Sequence, residues 1–292
     1  MKIAIFATGY KGYKFLCKLK NNPQFVVSYD NRERRDQLHY RGIKQWCADR
    51  KIPFYERGNL EQDADILSKV DKVFVVGWQY LIKENTDKIV VFHDSYLPER
   101  RGFSPTLSSL LETSPYLGAS CFQPSDDLSK GPDYGKVYDR QKIVISYPIT
   151  LKEAFDLVVD KYVQMACSIV EENIIPTEIN YDKSTFSLWR DKRDLRLDWK
   201  QPSGNVYQKI LGLGFPYKGA TAVYDSQIIH IQDATECTDI KIENVSDHYG
   251  KIWKIENKCP YIVCGEGVIR INKAFDSEGK AIIFDKIRKR LE

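Results

Sequence analysis

The sequence has no apolar run near the roughly 20 residues that a bilayer-spanning helix requires, and its 292 residues contain no low-complexity tract. Met1 leads at once into "KIAIFAT", which reads as a strand and not as the apolar core of a signal peptide. A cytoplasmic protein with no membrane partner is therefore expected. Paired cysteines are also missing. Cys17, Cys47, Cys121, Cys167, Cys237, Cys259 and Cys264 are an odd number, without a CxxC pair, and no histidine stands at zinc-ligand spacing beside them. They read as reduced packing residues, and no metal is expected. An excess of one charge is absent too: 44 Lys and Arg against 40 Asp and Glu leave +4, which is small for a chain built to neutralise phosphates along a duplex. A nucleic-acid partner is not expected, whereas an anionic small substrate stays open.

What the chain does have is enough apolar residue, 42%, to bury more than one core. "KIAIFAT", "QFVVSYD", "DKVFVVGWQY" and "DKIVVFHDS" are short continuous apolar runs separated by stretches with helical spacing such as "YKFLCKLKNN". Strands that are apolar on both faces and alternate with helices indicate an open, mostly parallel sheet covered on both sides, an α/β class. "SPTLSSLLETS" can start a helix with Ser104 as cap and Pro105 in its first position. "LGASCFQPS" and "KVYDRQKIVIS" read as further strands. "TLKEAFDLVVDKYVQMACSIVEEN" reads as a long amphipathic helix capped by Thr150. From about Val223 the chain turns into short alternating strands, "AVYDSQIIHIQDAT", "GKIWKIENKCPYIVCGEGVIRINKAF" and "KAIIFDKI", which suggest a small antiparallel β-barrel. The expected domains are 1–195 and 196–292.

"TGYKG" after the first strand supplies only Gly9 and Gly12 and lacks the spacing of a dinucleotide fingerprint. These glycines are expected to make the turn and to let the helix pack close. His93 differs from the other three histidines, His39, His230 and His248, because it ends a buried strand. In open parallel sheets ligands gather beyond the carboxyl ends of the strands. A histidine there can take a proton from an amine as it attacks a carbonyl, then pass it on; the alternative is a histidine that only bonds its own loop. In "KGPDYGKVY", Asp133 could hold such a histidine in its working tautomer, and Gly135 could let a ligand approach the backbone. By itself Asp-x-Gly also occurs in ordinary turns.

Taken together, "HDSYLPERRGFSP" and the later "PDYGKVY" resemble the signature of the folate-dependent formyltransferase family, a His-x-Ser-x-Leu-Pro-x-x-Arg-Gly loop followed by an Asp-x-Gly turn. "LRLDWKQPSGNVYQKILGLGFPYKGATAVYDSQIIHIQDA" is similar to the entry of the carboxyl-terminal barrel of methionyl-tRNA formyltransferases. With "KIAIFATG", the resemblance covers most of the chain. It implies a Rossmann-like formyltransferase domain and transfer of a formyl group from 10-formyltetrahydrofolate to a primary amine. His93 and Asp133 match the family's catalytic positions. The strand end from Phe74 to Leu81 would line the folate pocket, with Gly77, Trp78, Gln79, Tyr80 and Leu81 joined by the stretch from Asp127 to Asp133 and by Gly135. Ser95, Arg101, Gly102 and Phe103, on the signature loop, would meet the substrate.

One position departs from the family. Its pattern carries an asparagine two residues before the histidine, where the amide steadies a developing oxyanion; here the residue is Val91. A backbone N–H, an ordered water or protonated His93 are the candidate replacements, and a relative that binds folate or nucleotide without turnover is the alternative. For the amine, methionyl-tRNA competes with a nucleotide-linked amino sugar. "YDNRERRDQLHYRGIKQW" lacks the long Gly-rich basic insertion of the tRNA enzymes, and the sugar N-formyltransferases resemble this chain in length and in their reduced loop. A nucleotide-linked sugar calls for an aromatic platform and cations, for which Trp189, Arg190, Tyr217 and Lys218 are the candidates; for each the alternative is interdomain packing. A small barrel beside a sheet domain is compatible with a homodimer.

Overall fold

The computed structural model describes residues 1–29, 37–60, 66–80, 82 and 86–292. Leu81, expected at the folate pocket, lies outside the described residues. The chain divides into two compact units, one of residues Met1–Pro105, Tyr116–Val144 and Phe155–Leu188, the other of Thr106–Pro115, Ile145–Ala154 and Trp189–Glu292.

The first unit opens with β1 (Ile3–Ala7), α1 (Gly9–Lys18), β2 (Phe25–Ser28), α2 (Gln37–Asp49), β3 (Phe54–Glu56), α3 (Arg57–Leu60), β4 (Lys72–Val76) and β5 (Ile89–His93). Strands β1, β2, β4 and β5 are apolar on both faces, and β1 and β2 are buried along their whole length. With β3 they pair in parallel in the order β3-β2-β1-β4-β5. The order reverses at β1, the topology in which loops beyond neighbouring strand ends splay apart and leave a crevice. "GYKG" is not a separate turn. Gly9, at φ +65°, opens α1 itself, and a Cβ on Gly12 would lie 3.0 Å from the Ala7 backbone, so glycine lets helix and strand touch.

Next come the two-residue β6 (Arg101–Gly102), α4 (Pro105–Leu111), β7 (Tyr116–Pro124) and β8 (Gly135–Val144). Strands β7 and β8 extend the sheet from β5 in antiparallel fashion. Helix α4 begins at Pro105 as expected, although Ser104 sits at φ 49° instead of the extended conformation of an ordinary cap. Helix α5 (Leu151–Glu172) starts with a reciprocal capping box: the Thr150 amide donates to Glu153 Oε2 at 2.9 Å, and the Glu153 amide donates to Thr150 Oγ1 at 3.2 Å. β9 (Phe186–Ser187) pairs in parallel with β6.

The second unit contains α6 (Ser203–Gly212) and five strands, β10 (Ala220–Tyr224), β11 (Gln227–Cys237), β12 (Ile252–Glu256), β13 (Cys259–Val263) and β14 (Val268–Phe275). They form one antiparallel sheet ordered β10-β11-β14-β13-β12. Its core gathers Trp199, Val206, Ile210, Leu213, Ile229, Ile231, Ile262, Ile269 and Phe284. "KAIIFDKI" forms no strand; it makes an isolated bridge from Ala281 to Phe275. Among the described residues no helix is long and apolar enough to cross a membrane.

Candidate active site

The site in the first unit begins where β5 ends. His93 follows four apolar residues of that strand and is buried, 6% exposed. The loop after it is pressed against β7: a Cβ on Gly118 would fall 1.9 Å from the Tyr96 nitrogen, so only glycine fits beneath it. Ser120 fastens the same loop, its hydroxyl donating to Ser95 O at 2.7 Å and accepting from the Leu97 amide at 3.1 Å. The chain then doubles back through Arg100, at φ 51°, whose carbonyl lies 3.2 Å from His93 Nε2.

Asp133 approaches from the β7–β8 connection. It holds φ 48°, a left-handed conformation that aspartate tolerates better than most residues. Its Oδ2 accepts from the Gly102 amide at 2.7 Å and stands 3.7 Å from His93 Nε2. Imidazole and carboxylate thus face one another across the Arg100–Gly102 backbone. Asp94, the next residue along, turns away and pairs with Lys11 Nζ at 2.5 Å.

Beside His93 the wall is apolar. Val91 packs with Leu97, Phe122, Val137 and Ile179, and also against the cluster of Val73, Val75 and Ile89 that includes Trp78 and Ile82. Trp78 stacks on Tyr29 at 6.0 Å and meets Tyr80 edge-on at 5.7 Å. Gly77, at φ +68°, sets this turn, because a Cβ there would lie 2.5 Å from Thr8 O. Gln79 is exposed, and Tyr80 lies under the Arg57 guanidinium, 3.6 Å from the ring centre. Two buried polar atoms here have no protein partner among the described residues, Trp78 Nε1 and Ser95 Oγ. An apolar wall with unpartnered donors suits a flat heteroaromatic ring with polar edges.

The other residues expected here take different places. Asp127 is exposed and caps the short turn Leu128–Lys130, where bonds from Ser129 hold its carboxyl below the usual range. The space above Gly135 is filled by Gln123 O, 1.9 Å from a would-be Cβ, and both backbone groups of Gly135 are bonded to the Tyr181 hydroxyl, so it serves strand closure. Arg101 is only 4% exposed and spends its guanidinium on the Asp133 loop; Phe103 is half exposed.

A model of the formyl transferase C-terminal domain matches residues 190–288. A methionyl-tRNA formyltransferase of Rickettsia typhi is 25% identical over 253 residues, which cover 82% of this chain and 79% of that protein. The matched domain and the sequence relatives support a folate-dependent formyltransferase family for this chain. The fold agrees. The N-formyltransferase from Helicobacter canadensis, solved with folinic acid and dTDP-3-aminofucose, superposes with a TM-score of 0.62 at 14% identity, covering 97% of this chain and 100% of that one. HypX from Aquifex aeolicus, in complex with tetrahydrofolic acid, gives 0.67 at 13% over 97% of this chain. The chain spans 46% of the HypX chain.

Sequence reasoning missed several residues that build the candidate site. Thr185 accepts from the Arg100 amide at 2.8 Å through its hydroxyl, and from the same segment Ser184 Oγ lies 3.3 Å from Arg101 Nη1 while Tyr181 donates to Gly135 O at 2.9 Å. Tyr162 is fully buried, its hydroxyl without a protein partner among the described residues, and burial with the nearby Asp94 and Asp133 carboxylates pushes its phenol well up. No local motif announces these positions. In the second unit, Trp189 and Tyr217 are exposed, and Arg190 donates to Ser108 Oγ at 2.8 Å while its Nε lacks a protein partner among the described residues. Lys218 lines a cavity of about 370 Å³ with His230, Gln232 and Phe275.

Proposed function

We propose that this chain moves a formyl group from 10-formyltetrahydrofolate to the primary amine of a nucleotide-linked amino sugar. The observation that carries the chemistry is the meeting of His93 and Asp133, 3.7 Å apart at the end of β5 beside an apolar wall. Bound 10-formyltetrahydrofolate supplies the formyl carbon and leaves as tetrahydrofolate. His93 accepts the proton that the amine loses on attack and returns it to the departing folate nitrogen, so no net proton is gained or lost. Asp133, fixed by the Gly102 amide, faces the imidazole through this exchange and holds its orientation. Trp78 Nε1 and the backbone from Gly77 to Tyr80 would hold the pterin. Val91, Leu97 and Phe122 exclude water from the carbonyl.

A sugar acceptor is favoured by the connection between β2 and α2. Ser28 ends one and Gln37 begins the other, so residues 29–36, eight in all, are too few for a long basic insertion. The Helicobacter canadensis sugar enzyme matches this chain along nearly the whole length of both. In the second unit, Arg190 is the candidate cation for a diphosphate. The methionyl-tRNA reading is supported by the sequence relatives. Steady-state assay with 10-formyltetrahydrofolate against a panel of nucleotide-linked amino sugars and charged initiator tRNA decides between them. Formylated sugar is the expected product. Formylation of tRNA alone supports the second reading, and intact folate binding without any product overturns transfer itself.

A further inference from the structure

Arg101 reads from sequence as a substrate cation, but its surroundings give it a different task. Its Nε donates to Pro132 O at 2.7 Å and its Nη2 to Lys130 O at 2.5 Å, with Nη1 3.3 Å from Ser184 Oγ. The guanidinium therefore grips the two carbonyls on either side of Gly131, directly before Asp133. Gly131 and Asp133 both hold positive φ, 78° and 48°, conformations a free loop would not keep unaided. The rings of Tyr134, Tyr181 and Phe186 enclose the cation at 5.5, 5.2 and 5.0 Å. At 4% exposure it has no free face toward a ligand. Its own backbone is pinned as well, the amide donating to Thr185 O at 2.9 Å, and the next amide along, Gly102, bonds the Asp133 carboxylate. One residue thus fixes the carboxylate from both sides, by side chain at the loop and by backbone at its neighbour.

We infer that Arg101 is a positioning residue that sets the separation of Asp133 from His93, and that it makes no contact with either substrate. Its planar fork spans two carbonyls at once, which a lysine ammonium cannot do with the same geometry. The inference rests on the proposed transfer, so the test keeps the two apart. Arg101→Lys and Arg101→Ala are assayed with 10-formyltetrahydrofolate and the amine that the wild-type protein accepts, and the crystal structure of Arg101→Lys is solved. The expected result is a fall in kcat of about 100-fold, the scale of a displacement near 1 Å, with both KM values within about threefold. Guanidinium ion added to Arg101→Ala restores part of the loss, which a misfolded variant would not show. In the crystal structure of Arg101→Lys the Asp133 carboxylate leaves the 3.7 Å position. An unchanged kcat with the amine KM raised about 30-fold would make Arg101 a substrate ligand and overturn the inference. So would a slow variant in which Asp133 has not moved. A wild-type protein without turnover would overturn the proposed transfer alone, and the crystal structure would still decide the role of Arg101.

Discussion

Val91→Asn sets two effects of opposite sign against each other at one position. Val91 lies on the same face of β5 as His93, between Val75 of β4 and Phe122 of β7. Asparagine is close to valine in size, so the main cost of the exchange is polarity. An amide placed among Val75, Leu97, Phe122 and Val137 without a partner costs about 1–3 kcal/mol. Val91 is only partly buried, which puts the loss toward the lower end. At about 2–4 °C per kcal/mol, thermal unfolding should move down by roughly 2–8 °C.

The gain lies in the transition state. An amide at this position can donate to the oxyanion that forms on the formyl carbonyl, and such a donor is worth about 100- to 1000-fold in kcat. A stability loss of this size leaves the chain folded at 25 °C, so the rate effect dominates: kcat should rise while Tm falls. Single-turnover rates with 10-formyltetrahydrofolate and the accepted amine, beside a thermal unfolding scan, read both effects. A kcat that stays level or falls while Tm drops only by the stated amount would refute the reasoning, since it would show that the wild-type site already has its donor. Ser95, whose buried hydroxyl has no protein partner among the described residues, is then the next group to remove.

His93→Asn should lower kcat by about 100- to 10,000-fold and leave tetrahydrofolate affinity, measured by calorimetry, within a few-fold; an unimpaired rate would take His93 out of the chemistry. Gly118→Ala should cost about 3 kcal/mol or more in a urea titration, because its Cβ meets backbone at 1.9 Å and no rotamer can relieve it. Glu153→Ala breaks the capping box of α5 and should cost about 1 kcal/mol in the same titration, with activity unchanged. Cys17 is exposed and should react first with a thiol reagent, whereas Cys47, Cys121 and Cys264 should react only on unfolding. Burial raises Cys47 and Cys264 from 9.0 to about 12, so below pH 9 they are neutral in both states and their stabilising share is intact. As pH rises from 9 toward 12 the unfolded chain ionises them first and stability should fall, visible as a declining urea midpoint.

The parts of this fold that were legible in the sequence are those in which a period or a cap is written locally. Strands β1, β2, β4 and β5 are apolar on both faces because the sheet covers both, and Thr150 with Glu153 marks the start of α5 within four residues. Helix α6 also has a local pattern: Val206, Ile210 and Leu213 keep helical spacing right after Pro202. "KAIIFDKI" alternates like a strand, yet beyond one bridge to Phe275 it finds no ladder, so its pattern met no partner. The site divides in the same way. His93 could be placed because it ends a buried strand. The role of Arg101 could not, because it depends on carbonyls at 130 and 132, on Ser184 and on three rings brought in by separate segments. A guanidinium in sequence carries the same letter whether it faces a diphosphate or a loop carbonyl. Only the burial of Arg101 and the direction of its donors tell the two apart, which is why the residue that fixes the geometry of a formyltransferase carboxylate looked from sequence like a ligand for its substrate.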